Sequence, residues 1–114
     1  TFLIPTIYAA DSELYSELIS AHRLAASDFN REKPVETVLD ILAREGIRSI
    51  NLLPEFRSRS NAPGQDFYIP GDGHFNKDGH QLAVSIVSKE LAGMIREWGS
   101  ADQCRPSKLM ATGK

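Results

Sequence analysis

The chain has 114 residues, 41% of them hydrophobic and 25% charged, with a formal net charge of −2. Such a composition excludes disordered and fibrous classes and leaves room for one small domain. A sequence pI near 5.9 without a basic cluster argues against nucleic acid or an anionic membrane as partner, and no apolar run approaches the roughly 20 residues of a membrane span.

Phe2-Leu3-Ile4-Pro5-Thr6 is apolar and stopped by proline. It predicts the last residues of a buried central parallel strand whose beginning lies upstream of Thr1. No basic segment or cleavage site accompanies it, so it does not read as a signal peptide, and localisation is not legible from these residues. Asp11 and Ser12 predict the cap of a helix through Leu14, Leu18 and Ile19, with Tyr15 on a neighbouring position. Ala25 to Lys33 is polar and reads as loop. Pro34 suits a first helical position, Val35, Val38, Leu39 and Leu42 follow at helical spacing, and Gly46 supplies a left-handed cap.

Ile47 through Leu53 then predicts a second strand ended by Pro54, so that strand, helix and strand form a right-handed βαβ unit. Glu55 to Gly71, with two arginines, prolines and glycines, reads as a long surface loop interrupted by an apolar patch at Phe67-Tyr68-Ile69. Asn76 predicts the cap of the longest helix, 77–98. Its apolar stripe runs through Leu82, Ala83, Ile86, Val87, Leu91, Met94, Ile95 and Trp98, and Gly99 ends it. Residues 1–99 thus read as domain and 100–114 as a disordered tail. The single cysteine, Cys104, excludes an internal disulfide or a multi-cysteine zinc site and reads as an ordinary thiol. Two apolar strands alone leave faces and edges uncovered, so further polypeptide is expected to complete the domain.

The chemistry lies in Gly71-Asp72-Gly73-His74-Phe75-Asn76-Lys77-Asp78-Gly79-His80. A histidine with a carboxylate two residues away, on a loop before a helix, suits general base work. The ring titrates near neutral pH, and a carboxylate on one nitrogen sets the tautomer and stabilises the imidazolium. Gly71 and Gly73 would let the backbone fold tightly enough for the contact. Asp78-Gly79-His80 repeats the spacing. There Asp78 serves the helix dipole and His80 falls in the helix, where packing or surface is the expected role.

Two other readings of the same residues stand beside catalysis. Asp72, His74, Asp78 and His80 are acceptable metal ligands, but their spacing matches no recognised site. Alternatively, the loop histidine is incidental in a non-catalytic α/β interaction module.

Tyr68-Ile69-Pro70-Gly71-Asp72-Gly73-His74-Phe75-Asn76, followed by Gly79-His80 and Ala83, resembles the final block of SGNH (GDSL-type) hydrolases. That block carries the acid and base of their catalytic triad. Leu3-Ile4-Pro5-Thr6, and Pro34 through Ile50-Asn51-Leu52-Leu53-Pro54, resemble the strand end, helix and last strand that precede it. The commonest family pattern places two residues between acid and base. The single Gly73 here is similar to a subgroup with bacterial carbohydrate O-acyltransferases and acetylesterases.

The resemblance implies the C-terminal portion of a three-layer α/β/α parallel-sheet (flavodoxin-like) domain. It implies a serine-dependent acyl-ester hydrolase, or an O-acyltransferase, with His74 as base and Asp72 as its orienting acid and with no cofactor or metal. The implied partners are a small acyl ester or acylated carbohydrate and the remainder of the same domain, and the implied setting is the bacterial cell envelope or secretion. The family's Gly-Asp-Ser block and its oxyanion glycine and asparagine are not found. Ser12, Ser16, Ser58 and Ser60 lack that context, so the nucleophile is expected outside this chain.

Overall fold

Each α-helix start among the described residues is marked by a side chain or ring that offsets missing main-chain partners. The computed structural model describes residues 1–103, and the side chains of 1–100. Thr6 Oγ1 accepts from the Ala9 N–H to start α1 (Ile7–Ala10), and the Asp11 carboxylate accepts from Glu13 and Leu14 to start α2 (Ser12–Ala21). Asn30 Oδ1 accepts from the N–H groups of Glu32 and Lys33 ahead of α3 (Lys33–Arg44), which has Pro34 in its first turn. Asn51 Oδ1 accepts from Leu53 at the start of α4 (Leu53–Ser60), and Asn76 Oδ1 accepts from Gly79 at the start of α5 (Lys77–Gln103). Gly46, at φ 66°, follows the end of α3 as expected.

Two strands, β1 (Phe2–Leu3) and β2 (Ile50–Asn51), pair in parallel with Phe2 opposite Ile50 and Leu3 opposite Asn51. The described residues are 61% helix and 6% strand. This overturns the expected three-layer α/β/α parallel sheet. A parallel sheet needs several neighbouring strands covered on both faces; here each strand has one partner and pairs over two residues. The apolar segment at the start is not buried either: Phe2 and Ile4 are exposed.

The elements between differ as well. A 3₁₀ turn (Ala26–Asp28) interrupts the expected loop at 25–33. The strand expected over Ile47–Leu53 shrinks to two residues because Leu53 already belongs to α4. Pro54 therefore starts a helix rather than ending a strand. Its fixed φ and missing N–H suit the first helical turn equally well. Glu55 in the first turn and Arg57 and Arg59 in the last complement the helix ends. The expected loop from Glu55 accordingly begins as helix. α5 is the longest helix but continues through Gly99 to Gln103. The tail expected at 100–114 lies outside the described residues from Cys104 onward.

The core is small. Ala9, Ala10, Ile50, Leu52, Leu53, Phe56, Phe67, Tyr68 and Leu82 are buried. Phe56 stacks on Phe75 with ring centroids 4.7 Å apart and meets Phe67 edge-on at 5.5 Å. Only part of the expected α5 stripe reaches this core. Leu82 is buried and Ala83, Ile86, Val87 and Met94 pack against it, whereas Leu91, Ile95 and Trp98 are exposed.

Candidate active site

The segment from Phe67 to Asn76 is a short hairpin. Tyr68 and Phe75 form an antiparallel bridge, the Ile69 N–H donates to the His74 carbonyl at 2.9 Å, and the Asn76 N–H donates to Phe67 at 2.9 Å. At its tip the Asp72 N–H donates to the Ile69 carbonyl at 2.9 Å, across Pro70 and Gly71, and Gly71 has φ 72°. Proline at the second and glycine at the third position of a four-residue turn is the pattern of a type II turn, which requires positive φ at the third. The expectation for Gly73 does not hold in the same way, since its φ is not positive.

This turn brings Asp72 and His74 together. Asp72 Oδ1 accepts from the Nδ1 edge of the imidazole and also from the backbone N–H of His74 at 3.2 Å. With the carboxylate ionised, Nδ1 carries the proton, so the Nε2 lone pair is free to act as a base. Hydrogen bonding from the His74 ring, then from the His74 backbone, holds the Asp72 carboxyl below its ordinary value, since both donors favour the charged form. The His74 side chain is 85% exposed and that of Asp72 50%. Nothing within the described residues excludes water from the ring.

Two features place the hairpin. The Tyr68 hydroxyl donates to the Pro5 carbonyl at 3.1 Å, just after β1. A cleft of about 180 Å³ separates Asp72, Gly71 and Gly73 from Ile7, Tyr8 and Leu14. The hairpin tip, with Asp72, therefore faces α1 and the start of α2, beyond the C-terminal end of β1. The α1 wall is itself held by arginines, a feature that the sequence reading missed. Arg31 Nη2 and Arg57 Nη2 donate to the Ala9 carbonyl at 2.6 and 2.8 Å, and Arg57 Nη1 pairs with Glu32 at 2.8 Å. Burial and the neighbouring Arg57 lower the pKa of Arg31. No local pattern signals this convergence, because the groups lie 22 and 48 residues from Ala9.

The second Asp-Gly-His copy lies within the helix, as expected. Asp78 lies in the first turn of α5, and His80 sets its ring edge-on to Phe75 with centroids 5.7 Å apart. Asp72, His74, Asp78 and His80 do not converge. Among the described residues no three side chains of His, Cys, Asp or Glu gather as metal ligands would. Ser12 accepts from Arg31 and Ser16 donates to the Ser12 carbonyl, while Ser58 and Ser60 sit on α4. Among the described residues no serine hydroxyl bonds to His74. No described helix is long and apolar enough to cross a membrane.

Comparison with known proteins adds no relative: no family profile, curated protein or solved structure matches this chain.

Proposed function

We propose that Asp72 and His74 are the acid and base of a serine-dependent acyl-ester hydrolase of the SGNH type, with the nucleophilic serine supplied from outside these residues. The observation that carries the reading is the bond between Asp72 Oδ1 and the His74 ring, which engages Nδ1 and leaves Nε2 unencumbered, beside a cleft that Asp72 lines. The resemblance of the Tyr68–Asn76 block to the final block of SGNH hydrolases supports it, and the pairing geometry, not the fold, is its basis.

The serine Oγ attacks the ester carbonyl while His74 Nε2 takes the hydroxyl proton, and the carbonyl π pair moves onto oxygen. The tetrahedral intermediate expels the alcohol, which receives that proton from Nε2, leaving an acyl-serine. Water repeats the sequence, releasing the acid. A sugar hydroxyl in place of water turns the same steps into O-acyl transfer. Asp72 keeps Nδ1 protonated and stabilises the imidazolium formed in each half. In this reading polypeptide outside these residues covers the exposed His74 ring and supplies the oxyanion hole, whose donors are worth about 10²–10³ in rate.

The test expresses the complete reading frame containing these residues and assays it with a chromogenic acetyl ester. Turnover is expected, and His74→Ala is expected to lower it by about 10³-fold or more. Unchanged turnover in that variant would overturn the assignment.

A further inference from the structure

We propose that Tyr68 is the positioning residue of this site: its hydroxyl, seated on the Pro5 carbonyl, sets the distance between the Asp72–His74 hairpin and α1. The inference rests on the acyl-transfer reading for its catalytic meaning, but its geometry stands independently. Tyr68 is buried, at 3% exposure, and it forms the base of the hairpin through its bridge to Phe75. Beyond that base, the bonds of the hairpin are internal: Ile69 to His74, Asp72 to Ile69, and His74 to Asp72. Tyr68 and Asn76 also bond the flanking Asp66, Gly79 and His80, but among the described residues the hydroxyl of Tyr68 is the one hydrogen-bonding group of 67–76 that reaches beyond these neighbours, to a residue 63 positions away.

The acceptor is equally particular. The Thr6 carbonyl takes the N–H groups of Ala9 and Ala10 at 3.0 and 3.1 Å, so the carbonyl of buried Pro5 lies just outside the helix ladder. Among the described residues no main-chain N–H donates to it. A buried carbonyl without a donor is costly, so the hydroxyl has a strong reason to stay. Burial raises the Tyr68 pKa, with a smaller contribution from Asp11, and the group remains a donor across the neutral range. Packing alone does not need the oxygen, because the rings of Phe56 and Phe75 supply aromatic surface against the Tyr68 ring. What the oxygen adds is register between the hairpin and the chain leading into Ile7 and Tyr8, the opposite wall of the cleft.

The experiment compares the 114-residue chain with its Tyr68→Phe variant by NMR and circular dichroism. Nuclear Overhauser contacts from Gly71–Gly73 to Ile7 and Tyr8 are expected to weaken by about half or more, with shifts confined to Pro5–Tyr8 and Ile69–Asn76 and helix content unchanged. Contacts that persist at full strength, or a loss of signal dispersion spread evenly over the chain, overturn the proposal. The unsubstituted chain gives a second measurement that does not depend on the variant folding: the Tyr68 hydroxyl proton exchanges slowly with water and shows contacts to Pro5. Exchange as fast as that of exposed Tyr8 overturns it. In the active protein the same substitution lowers kcat by about tenfold or more with KM within about twofold, since misplacement of a base acts on the chemical step. An inactive protein with the NMR result intact sinks the acyl-transfer reading and leaves the positioning role standing.

Discussion

Gly79, in the first turn of α5, lies against the main chain of Phe67: a Cβ added there would fall 2.2 Å from the Phe67 carbonyl oxygen. That oxygen is already engaged by the Asn76 N–H and cannot rotate away. Alanine at an ordinary helical glycine gains about 1 kcal/mol from propensity. Here the overlap with backbone forces α5 and the hairpin apart, and overpacking of this kind costs about 1–3 kcal/mol. Gly79→Ala is therefore expected to lower stability in urea unfolding. Gly73→Ala, where a Cβ meets nothing within 4 Å and φ is not positive, is expected to change it by about 0.5 kcal/mol or less. Equal effects at the two positions would contradict this account of the helix–hairpin contact.

The aromatic cluster concentrates the energetics of the small core. Phe56 is fully buried and touches the rings of Phe67, Tyr68 and Phe75. Phe56→Ala is expected to cost about 3–5 kcal/mol, enough to abolish a cooperative transition in a domain with so few buried residues. Leu91 belongs to the same apolar stripe of α5 as Leu82 but is 44% exposed, so Leu91→Ala is expected to cost about 1 kcal/mol or less. Thermal unfolding of the two variants side by side separates the part of the stripe that is packed from the part that is not.

The features legible in the sequence are those written within a few residues. Asp11, Pro34, Gly46 and Asn76 mark helix ends through caps that need only their immediate neighbours, and the Asp72–His74 contact spans two residues. Leu52-Leu53-Pro54 reads in the sequence as a strand end because a short apolar run has no period of its own and proline ends a strand or opens a helix with equal ease. The charge pattern of Glu55, Arg57 and Arg59 was the signal for helix. Sheet extent was not legible, because strand pairing depends on distant neighbours, and the same holds for the Tyr68–Pro5 bond and the two arginines on Ala9.

Acid should release the acid–base pair in a defined sense. The Asp72 pKa is lowered in the folded chain, first by the His74 ring and then by its backbone N–H. A carboxyl with a depressed folded value contributes stability that is present above the unfolded value, near 3.9, and is lost as pH falls through the folded value. The ¹³C carboxyl signal of Asp72 is expected to titrate with a midpoint below that of a model aspartyl peptide. His74→Ala removes the strongest of these hydrogen bonds and should move the midpoint upward toward that of the peptide. A midpoint unmoved by His74→Ala would mean that the imidazole does not hold the carboxylate in solution.

Substitutions at Asp72 give the sharpest reading of its proposed role. One carboxylate oxygen, Oδ1, accepts from both the His74 ring and the His74 backbone. Asparagine can offer its amide oxygen to the same two donors, with its NH₂ turned toward solvent on this exposed side chain. The Nδ1–H tautomer then survives, and only the negative charge that stabilises the imidazolium is lost. Where an asparagine instead presents its NH₂ to the ring, the wrong tautomer forms and kcat falls by about 10⁴. Asp72→Asn in the active protein is accordingly expected to cost less than that, roughly 10²-fold, while Asp72→Ala, which removes both orientation and charge, costs more than Asp72→Asn. The measurement is kcat for an acetyl ester at a pH where the unsubstituted enzyme is fully active. Both variants should keep the affinity for substrate within about twofold, because Asp72 acts through His74 and not on the ground-state ester. A loss in Asp72→Asn as large as in Asp72→Ala would mean that the amide turns its NH₂ to the ring, and that the single-oxygen geometry does not set the tautomer. Full activity in Asp72→Ala would remove Asp72 from the mechanism.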